Sequence, residues 1–200
     1  MNKTIINIII IISISLLITA VFIFIKRLIY GKLVRSITYN QSEYEKLKNK
    51  ISTKLFISRF TILFLDLNLA IIQNNVGRVN TLMKEIKHFN PSDAKAKIIY
   101  SMLFNYYLNT KHYKEAKECY EIIKNLKDEQ LVKETDCMYN IFILKNDKYL
   151  NEMLSELEDI EEKNRFPHEY LISMMYKNIN NHEMAKKYED LAKKHLEMSK

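Results

Sequence analysis

The sequence predicts an all-α protein with one transmembrane helix at the amino terminus, followed by an α-solenoid of about four helix pairs. Three observations lead to this prediction. A run of 21 residues without charge begins at Ile5. The rest of the chain repeats its apolar residues at the spacing of an α-helix and lacks the alternation of β-strands. Only 2 Gly and 2 Pro occur in 200 residues, which argues against folds built on tight turns and against a glycine-rich phosphate loop.

The uncharged run, residues 5–25, has four polar side chains, those of Asn7, Ser13, Ser15 and Thr19. At the rise of an α-helix it is about 30 Å long, the thickness of the hydrocarbon core. A cleaved signal peptide is the main alternative, but its apolar region is usually shorter and ends at a pair of small residues. Here the bulky Ile18 stands two positions before the small Ala20, where a cleavage site would need a second small residue, and the run continues to Ile25. We therefore expect an uncleaved anchor over residues 1–27.

Basic residues around the run predict its orientation. Lys3 stands alone on the amino side, whereas the carboxyl side carries Lys26, Arg27, Lys32 and Arg35. The positive-inside rule then places the following domain in the cytosol, as a single-pass protein of the cell membrane. The same residues are interleaved with apolar ones and suit an anionic lipid surface.

The formal net charge of +7 belongs mostly to this membrane-proximal stretch. Residues 43–200 carry 26 basic and 24 acidic side chains, which leaves only +2. A basic stripe with interleaved aromatic residues is missing from the helical part, so we expect no nucleic-acid partner.

Residues 28–57 are predicted to be a basic juxtamembrane and helical linker, with Gln41–Lys54 forming its helix. A second apolar run, Leu55–Ile72, contains Arg59 and Asp66. Charges at the centre of a membrane helix cost about 2.5–3.5 kcal/mol each. We therefore expect this run to be a buried helix outside the membrane.

Helices of roughly 12–18 residues are predicted in the repeat domain, residues 58–200. Polar turns separate them at residues 74–77, 88–93, 109–112, 124–129, 145–148, 163–167 and 178–181. Asn90 and Pro91 are predicted to cap and begin a helix, and Phe166 and Pro167 to begin another.

An internal repeat emerges when the second helix of each pair is aligned on one residue. The aligned residues, spaced by 34, 37 and 32, are Leu82, Ala116, Met153 and Ala185. Seven positions earlier, each pair has an asparagine: Asn75, Asn109, Asn146 and Asn178. Chance agreement among amphipathic helices is the alternative, since all of them share one period.

The best unit, Leu108–Leu126, resembles the tetratricopeptide repeat (TPR) family. The matching residues of its second helix are Tyr113, Glu115, Ala116, Tyr120 and Ile123. His182–Ala192 matches more weakly, and the proline that the family places between repeats is missing. The resemblance implies helix pairs that stack over residues 58–200, with Ala116 and Ala185 allowing close helix approach and Tyr113 and Tyr120 filling the space between pairs.

The polar residues form no recognisable catalytic or metal-binding motif. Cys119 and Cys137 are too far apart for a C-x-x-C motif and are expected to be buried thiols in a reducing cytosol. The adjacent pairs His168–Glu169 and His182–Glu183 are expected on the surface, and the acidic run Glu156–Glu162 on a solvated helix face. We therefore expect neither an enzyme nor a bound metal or cofactor.

The TPR resemblance also implies a groove lined by the first helix of each pair. Carried over to this chain, its lining residues are Leu67, Ile71, Ser101, Asn105, Met138, Phe142, Tyr170 and Met174. Some family members clamp a terminal carboxylate there with Lys, Arg and Asn, but only Asn105 fits. A largely apolar groove with two methionines suits an amphipathic helix or an extended apolar peptide. The alternative is that these side chains pack internally or against Gln41–Lys54.

The sequence thus predicts a membrane-anchored scaffold or adaptor. Its expected partners are the lipid bilayer and a protein or peptide bound at the cytosolic face of the membrane. A secreted or surface-exposed helical-repeat binding protein is the alternative, and an enzyme comes third. The abundance of Ile, Lys and Asn without Trp is typical of AT-rich bacterial genomes.

Overall fold

The computed structural model describes residues 3–89 and 91–198, with side chains from residue 10 onward. Within those ranges every regular element is helical and no strand occurs, so the all-α prediction is confirmed. The chain divides into two compact units, Met1–Pro91 and Ser92–Lys200. The predicted domain boundaries at residues 27 and 57 both fall inside the first unit.

The first helix, α1 (Lys3–Tyr39), runs for 37 residues without a break. Within the described part of the chain, its stretch Ile10–Tyr39 is the one helix that is long and apolar enough to cross a membrane. No residue from 10 to 32 is buried within the chain. A signal sequence near an amino terminus would meet the same criterion of length and composition. Further along the same helix, Leu33 and Ile37 are buried. One helix therefore supplies both an exposed apolar rod and part of a protein core.

The rest of the first unit folds onto the end of α1. Its helices are α2 (Gln41–Lys48), α3 (Ile51–Phe56), α4 (Arg59–Ile72) and α5 (Val76–His88). Tyr44, Ile57, Leu65 and Leu69 form one buried cluster with Leu33 and Ile37. The prediction of a single linker helix over Gln41–Lys54 is wrong, because the chain breaks at Asn49 and Lys50 and both short helices pack against α1.

The second apolar run forms the end of α3 and the whole of α4, separated by Ser58. The Ser58 hydroxyl caps α4 by accepting a bond of 3.2 Å from the Thr61 N–H. Most of the leucines of α4 are buried, which confirms the prediction of a buried helix. Asp66 is accommodated because it accepts hydrogen bonds from the Tyr44 hydroxyl at 2.8 Å and from Lys48 at 3.0 Å.

The described residues of the second unit form six α-helices and a short 3-10 helix, Glu162–Asn164. In order the α-helices are α6 (Asp93–Asn109), α7 (Tyr113–Lys124), α8 (Glu129–Tyr139), α9 (Leu150–Asp159), α10 (Phe166–Asn178) and α11 (His182–Met198). A π-helical segment, Asn140–Leu144, continues α8. Most of these helices end within the predicted polar turns or next to them, but α9 ends at Asp159, four residues before the turn predicted at 163–167. Helix α10 begins at Phe166 with Pro167 in its first turn, as predicted.

The start of α6 differs from its prediction. The helix begins at Asp93 with Ser92 at its N-cap position, so Pro91 precedes the helix instead of occupying its first turn. Asn90, the predicted cap, lies outside the described residues.

A second difference concerns Tyr113, which is 38% exposed, whereas Tyr120 is buried and stacks on Tyr139 at 4.1 Å between ring centroids.

One backbone feature recurs in the turn inside each successive helix pair. In the described ranges, the non-glycine residues with a left-handed φ are Asn74, Lys111, Lys145 and Asn180. After α4, the Asn75 N–H donates to the Ala70 carbonyl at 2.9 Å and the Asn74 N–H donates to Ile71 at 2.9 Å. This is the Schellman arrangement, and it recurs after α6 and α10.

The third turn is wider because α8 ends in its π-helical segment. The Asn146 N–H reaches back to the Asn140 carbonyl at 3.2 Å. From α10, the Asn178 amide donates to the carbonyls of Ile141 at 2.9 Å and Asn146 at 3.2 Å. Asn178 thus supplies hydrogen-bond donors to a carbonyl of the π-helical segment and to one of the turn that follows it.

The structure corrects the register of the first repeat. In the second helix of each pair, the first helical backbone hydrogen bond is 3.0 Å long. The residues whose N–H groups donate it are Val79, Ala116, Met153 and Ala185. Val79, not Leu82, is therefore equivalent to Ala116. Val79 and Leu82 are both fully buried in α5. Helical periodicity alone therefore does not distinguish two alignments of this repeat that differ by three residues.

Candidate functional site

The predicted groove residues are divided between the two units. Leu67 and Ile71 belong to the first unit, and the other six residues belong to the second. Leu67 is fully buried, so it is a core residue and cannot line an open groove, while Ile71 is half-buried. The physical reason is that Leu67 shares its face of α4 with Leu63 and Ala70, which are also buried within the first unit.

The six residues of the second unit have different environments. Phe142 and Met174 are half-buried against the cluster around Ile141 and Met175. Ser101 is also half-buried, Asn105 is exposed, and Tyr170 is 43% exposed. Met138 remains, and it lies in a cleft.

This cleft, the Met138 cleft, lies between α8, α9 and the start of α10 and has a volume of about 420 Å³. Its apolar lining comes from Cys137, Met138, Met153, Pro167 and Leu171. Polar and charged lining residues are Gln130, Lys133, Glu134, Tyr149, Glu152, Glu156 and His168. The volume suits one or two large side chains of a binding partner.

The charged side chains of the Met138 cleft are mostly acidic. Lys133 forms ion pairs with Glu152 at 2.6 Å and with Glu156 at 3.4 Å. The hydrogen bond to Glu152 raises the pKa of Lys133, so the lysine stays charged at neutral pH. The cleft lining holds one lysine and three carboxylates, the third being that of Glu134, which accepts a hydrogen bond from Gln130. The cleft therefore combines an apolar floor with a negative excess at its edge.

Cys137 is the one thiol in the cleft lining. Its sulfur lies 3.9 Å from the sulfur of Met153. Burial, followed by the nearby Glu152, raises the pKa of Cys137 to about 11. The side chain is therefore a neutral thiol at physiological pH, which suits an apolar contact surface rather than a nucleophile. Cys119, in α7, is fully buried, and neither of these two cysteines forms a disulfide.

A polar network next to the cleft fixes its position. Asp136 of α8 accepts hydrogen bonds from the hydroxyls of Tyr120 and Tyr149 and from Lys148 at 2.7 Å. Partial burial raises the pKa of Asp136, but these three hydrogen bonds outweigh it and lower the pKa to about 2. Because Tyr149 also lines the cleft, the network ties the wall of the cleft to α7 and α8.

A second buried polar group lies between α10 and α11. His195 is 3% exposed, with Nδ1 2.8 Å from Glu169 and Nε2 3.1 Å from Glu162. Glu169 is 2% exposed, so its predicted place on the surface is wrong. Sequence reasoning missed the pair because its members are 26 residues apart. Its geometry joins two helices, since both ring nitrogens of His195 are used.

The predicted membrane-proximal basic residues lie on the exposed part of α1. Lys26, Arg27, Lys32 and Arg35 are all exposed. Arg27, Lys32 and Arg35 line a shallow hollow of about 580 Å³ together with neighbouring apolar residues. The positive charges therefore point away from the rest of the chain.

Comparisons with models of protein families, with curated proteins and with solved structures find no match for this chain. Its function must therefore be inferred from its own geometry. The relevant features are the exposed apolar part of α1 and the Met138 cleft of the second unit.

Proposed function

We propose that this protein is a membrane-anchored scaffold or adaptor that binds a protein or peptide partner at the cytosolic face of the cell membrane. The observation that carries the proposal is the division of α1. Residues 10–32 of this helix include no buried residue, whereas Leu33 and Ile37 of the same helix are core residues. An exposed apolar rod of this length is stable in lipid and not in water.

The orientation follows from the basic residues beyond the uncharged run. Four of them stand on the carboxyl side, and Lys3 alone stands on the other. By the positive-inside rule this difference favours a cytosolic location for both helical units.

We further infer that the helix pairs stack as a TPR-like solenoid. The recurring left-handed turns support this inference, because each places the second helix of its pair at an equivalent starting point. Helix pairs of this kind bury their apolar faces by stacking on their neighbours.

We place the partner-binding site in the Met138 cleft. An apolar floor suits one anchoring side chain of a partner, and its methionines adapt to different shapes. The acidic excess around Lys133 favours a partner with basic residues beside that anchor. A short amphipathic helix with an apolar face and flanking Lys or Arg has this chemistry.

Affinity capture of the full-length protein from chemically cross-linked membranes tests this site. Met138→Glu places a charge on the apolar floor, and we expect it to reduce the recovered partner by about tenfold. Tyr170→Glu is the matched control, because Tyr170 is exposed on α10 and does not line the cleft. Equal recovery with both variants, with unchanged melting temperatures, would show that the cleft is not the binding site.

A further inference from the structure

We propose that α3 lies in the interfacial layer of the bilayer, with Ile51 and Leu55 in contact with lipid. The inference rests on the proposed membrane anchor and adds a second lipid contact to it. It assigns a lipid-binding surface to α3, which lies within the linker predicted from the sequence over residues 28–57.

The position of α3 is set by a contact with the membrane helix itself. The ring of Phe56, the last residue of α3, lies 4.9 Å from the ring of Phe22, measured between centroids. Phe22 precedes Ile25, the end of the uncharged run, by three residues, or about 4.5 Å along the helix. If α1 crosses the bilayer, the end of α3 is therefore level with the boundary between acyl chains and head groups.

Two further contacts fix which side of α3 faces outward. Ile57, directly after the helix, is buried in the cluster around Leu33. The Thr53 hydroxyl donates to the Leu47 carbonyl at 2.7 Å, and Thr53 is 2% exposed. These residues hold one side of α3 against the first unit and leave the other side uncovered.

The uncovered side carries two large apolar side chains. Ile51 is 77% exposed and Leu55 is 71% exposed. The two residues are four positions apart, so they lie on the same face of the helix. Two large aliphatic side chains held in water next to a membrane helix would be unfavourable, whereas contact with acyl chains removes their surface from water.

The charges around α3 fit a bilayer containing anionic lipid. Between Glu45 and Asp66 the chain has no acidic residue and carries Lys46, Lys48, Lys50, Lys54 and Arg59. Lys50 and Lys54 are exposed, and their long side chains can reach the head groups while Ile51 and Leu55 contact the acyl chains. This charge complementarity favours lipid over an uncharged protein surface as the occupant of the α3 face.

Tryptophan fluorescence tests the inference directly, because the natural chain contains no Trp. The full-length protein is reconstituted into vesicles of phosphatidylcholine and phosphatidylglycerol, with and without lipids brominated near the glycerol end of the acyl chains. We expect Leu55→Trp to lose about half of its fluorescence to the brominated lipids. Tyr170→Trp, exposed on the second unit, is the control that should keep its fluorescence.

Phe24→Trp separates this inference from the proposed anchor, because Phe24 lies within the uncharged run. Quenching of Phe24→Trp without quenching of Leu55→Trp would overturn the α3 contact and leave the anchor standing. Quenching of neither would overturn both. A blue-shifted Leu55→Trp emission without quenching would show that protein covers the α3 face and would also overturn the inference. Ile51→Trp repeats the measurement at the second position, and circular dichroism checks that each variant is folded.

Discussion

Asp136 shows how a single side chain can organise the second unit. Its carboxylate accepts hydrogen bonds from Tyr120 of α7 and from Lys148 and Tyr149 in the turn before α9. Asn140, at the start of the π-helical segment, donates to the same carboxylate at 3.1 Å. A charged group with this many donors is stabilised in its ionised form.

Removing the charge of Asp136 should destabilise the protein. We expect Asp136→Asn to lower the free energy of unfolding by about 1–3 kcal/mol, because the donors of Tyr120 and Lys148 lose a charged acceptor. Urea denaturation of the detergent-solubilised full chain, followed by circular dichroism, measures the change. Asp147→Asn is the control, since Asp147 is exposed in the turn that also contains Lys148. An equal loss in both variants would contradict the role of Asp136.

The stability provided by Asp136 should also depend on pH. The pKa of Asp136 in the folded protein is about 2, below the value of about 3.9 expected in the unfolded chain. A depressed pKa contributes stability that is fully present above the unfolded value and is lost as pH falls toward the folded value. The difference in unfolding free energy between wild type and Asp136→Asn should therefore shrink between about pH 4 and pH 2. A difference that stayed constant over this interval would exclude the carboxylate charge as its source.

Residue-level predictability depends on distance along the chain. Local chemistry identified Phe166 and Pro167 as a helix start, and the spacing of apolar residues placed Ala116 and Ala185 in the core. The Glu169–His195 pair was not predictable, because its partners are brought together only when α10 packs against α11. The same holds for the donors of Asp136. Polar pairs of this kind require the tertiary structure first.

At the level of elements, the left-handed turns are the feature that the helix pairs share. Lysine is an unusual residue for this conformation, which favours glycine and asparagine. Lys111 has φ of 60° and Lys145 has φ of 55°. The backbone at these two positions is therefore held in place by the packing of the helices on both sides.

Replacing Lys111 with glycine should stabilise the protein. The left-handed conformation costs a lysine about 1 kcal/mol, and glycine removes this cost but gains freedom in the unfolded chain. We expect a net gain of about 0.5 kcal/mol for Lys111→Gly, measured by thermal or urea denaturation. Lys117→Gly, at an exposed position in the interior of α7, should instead lose about 1 kcal/mol. A loss at both positions would mean that the side chain of Lys111 contributes more than its backbone costs.

The elements were more predictable than their exact register. Helix ends could be predicted because polar residues interrupt the apolar period at each turn. The break between α2 and α3 was missed because Asn49 and Lys50 follow a helical pattern without a proline or glycine. The π-helical segment was missed as well, since its extra turn width depends on Asn178 from another helix. The predicted groove failed at Leu67 because α4 packs that residue into its own unit.

For the whole molecule, the distribution of charge should control the topology. We expect neutralisation of the membrane-proximal basic residues to mix the two orientations, because it removes the asymmetry across the uncharged run. The variant replaces Lys26, Arg27, Lys32 and Arg35 with Gln. Protease digestion of intact cells measures the outcome, since only units outside the cell are cleaved.

The matched control removes four charges far from the uncharged run, at the exposed residues Lys114, Lys117, Lys186 and Lys187. It should leave the units protected, as in the wild type. Digestion of the wild-type units from outside would contradict the cytosolic orientation. An amino terminus that begins near Val21 in the mature protein would instead establish cleavage and end the anchor proposal.

The continuity of α1 has a mechanical consequence. A helix that runs unbroken from the apolar run into a packed core acts as a rigid lever, because bending it would break hydrogen bonds along its backbone. A membrane helix tilts until its apolar length matches the thickness of the bilayer. With α1 inserted, a thinner or thicker bilayer would therefore rotate the whole first unit relative to the membrane plane. The thickness of the surrounding membrane would then set the angle at which the first unit stands to the membrane plane.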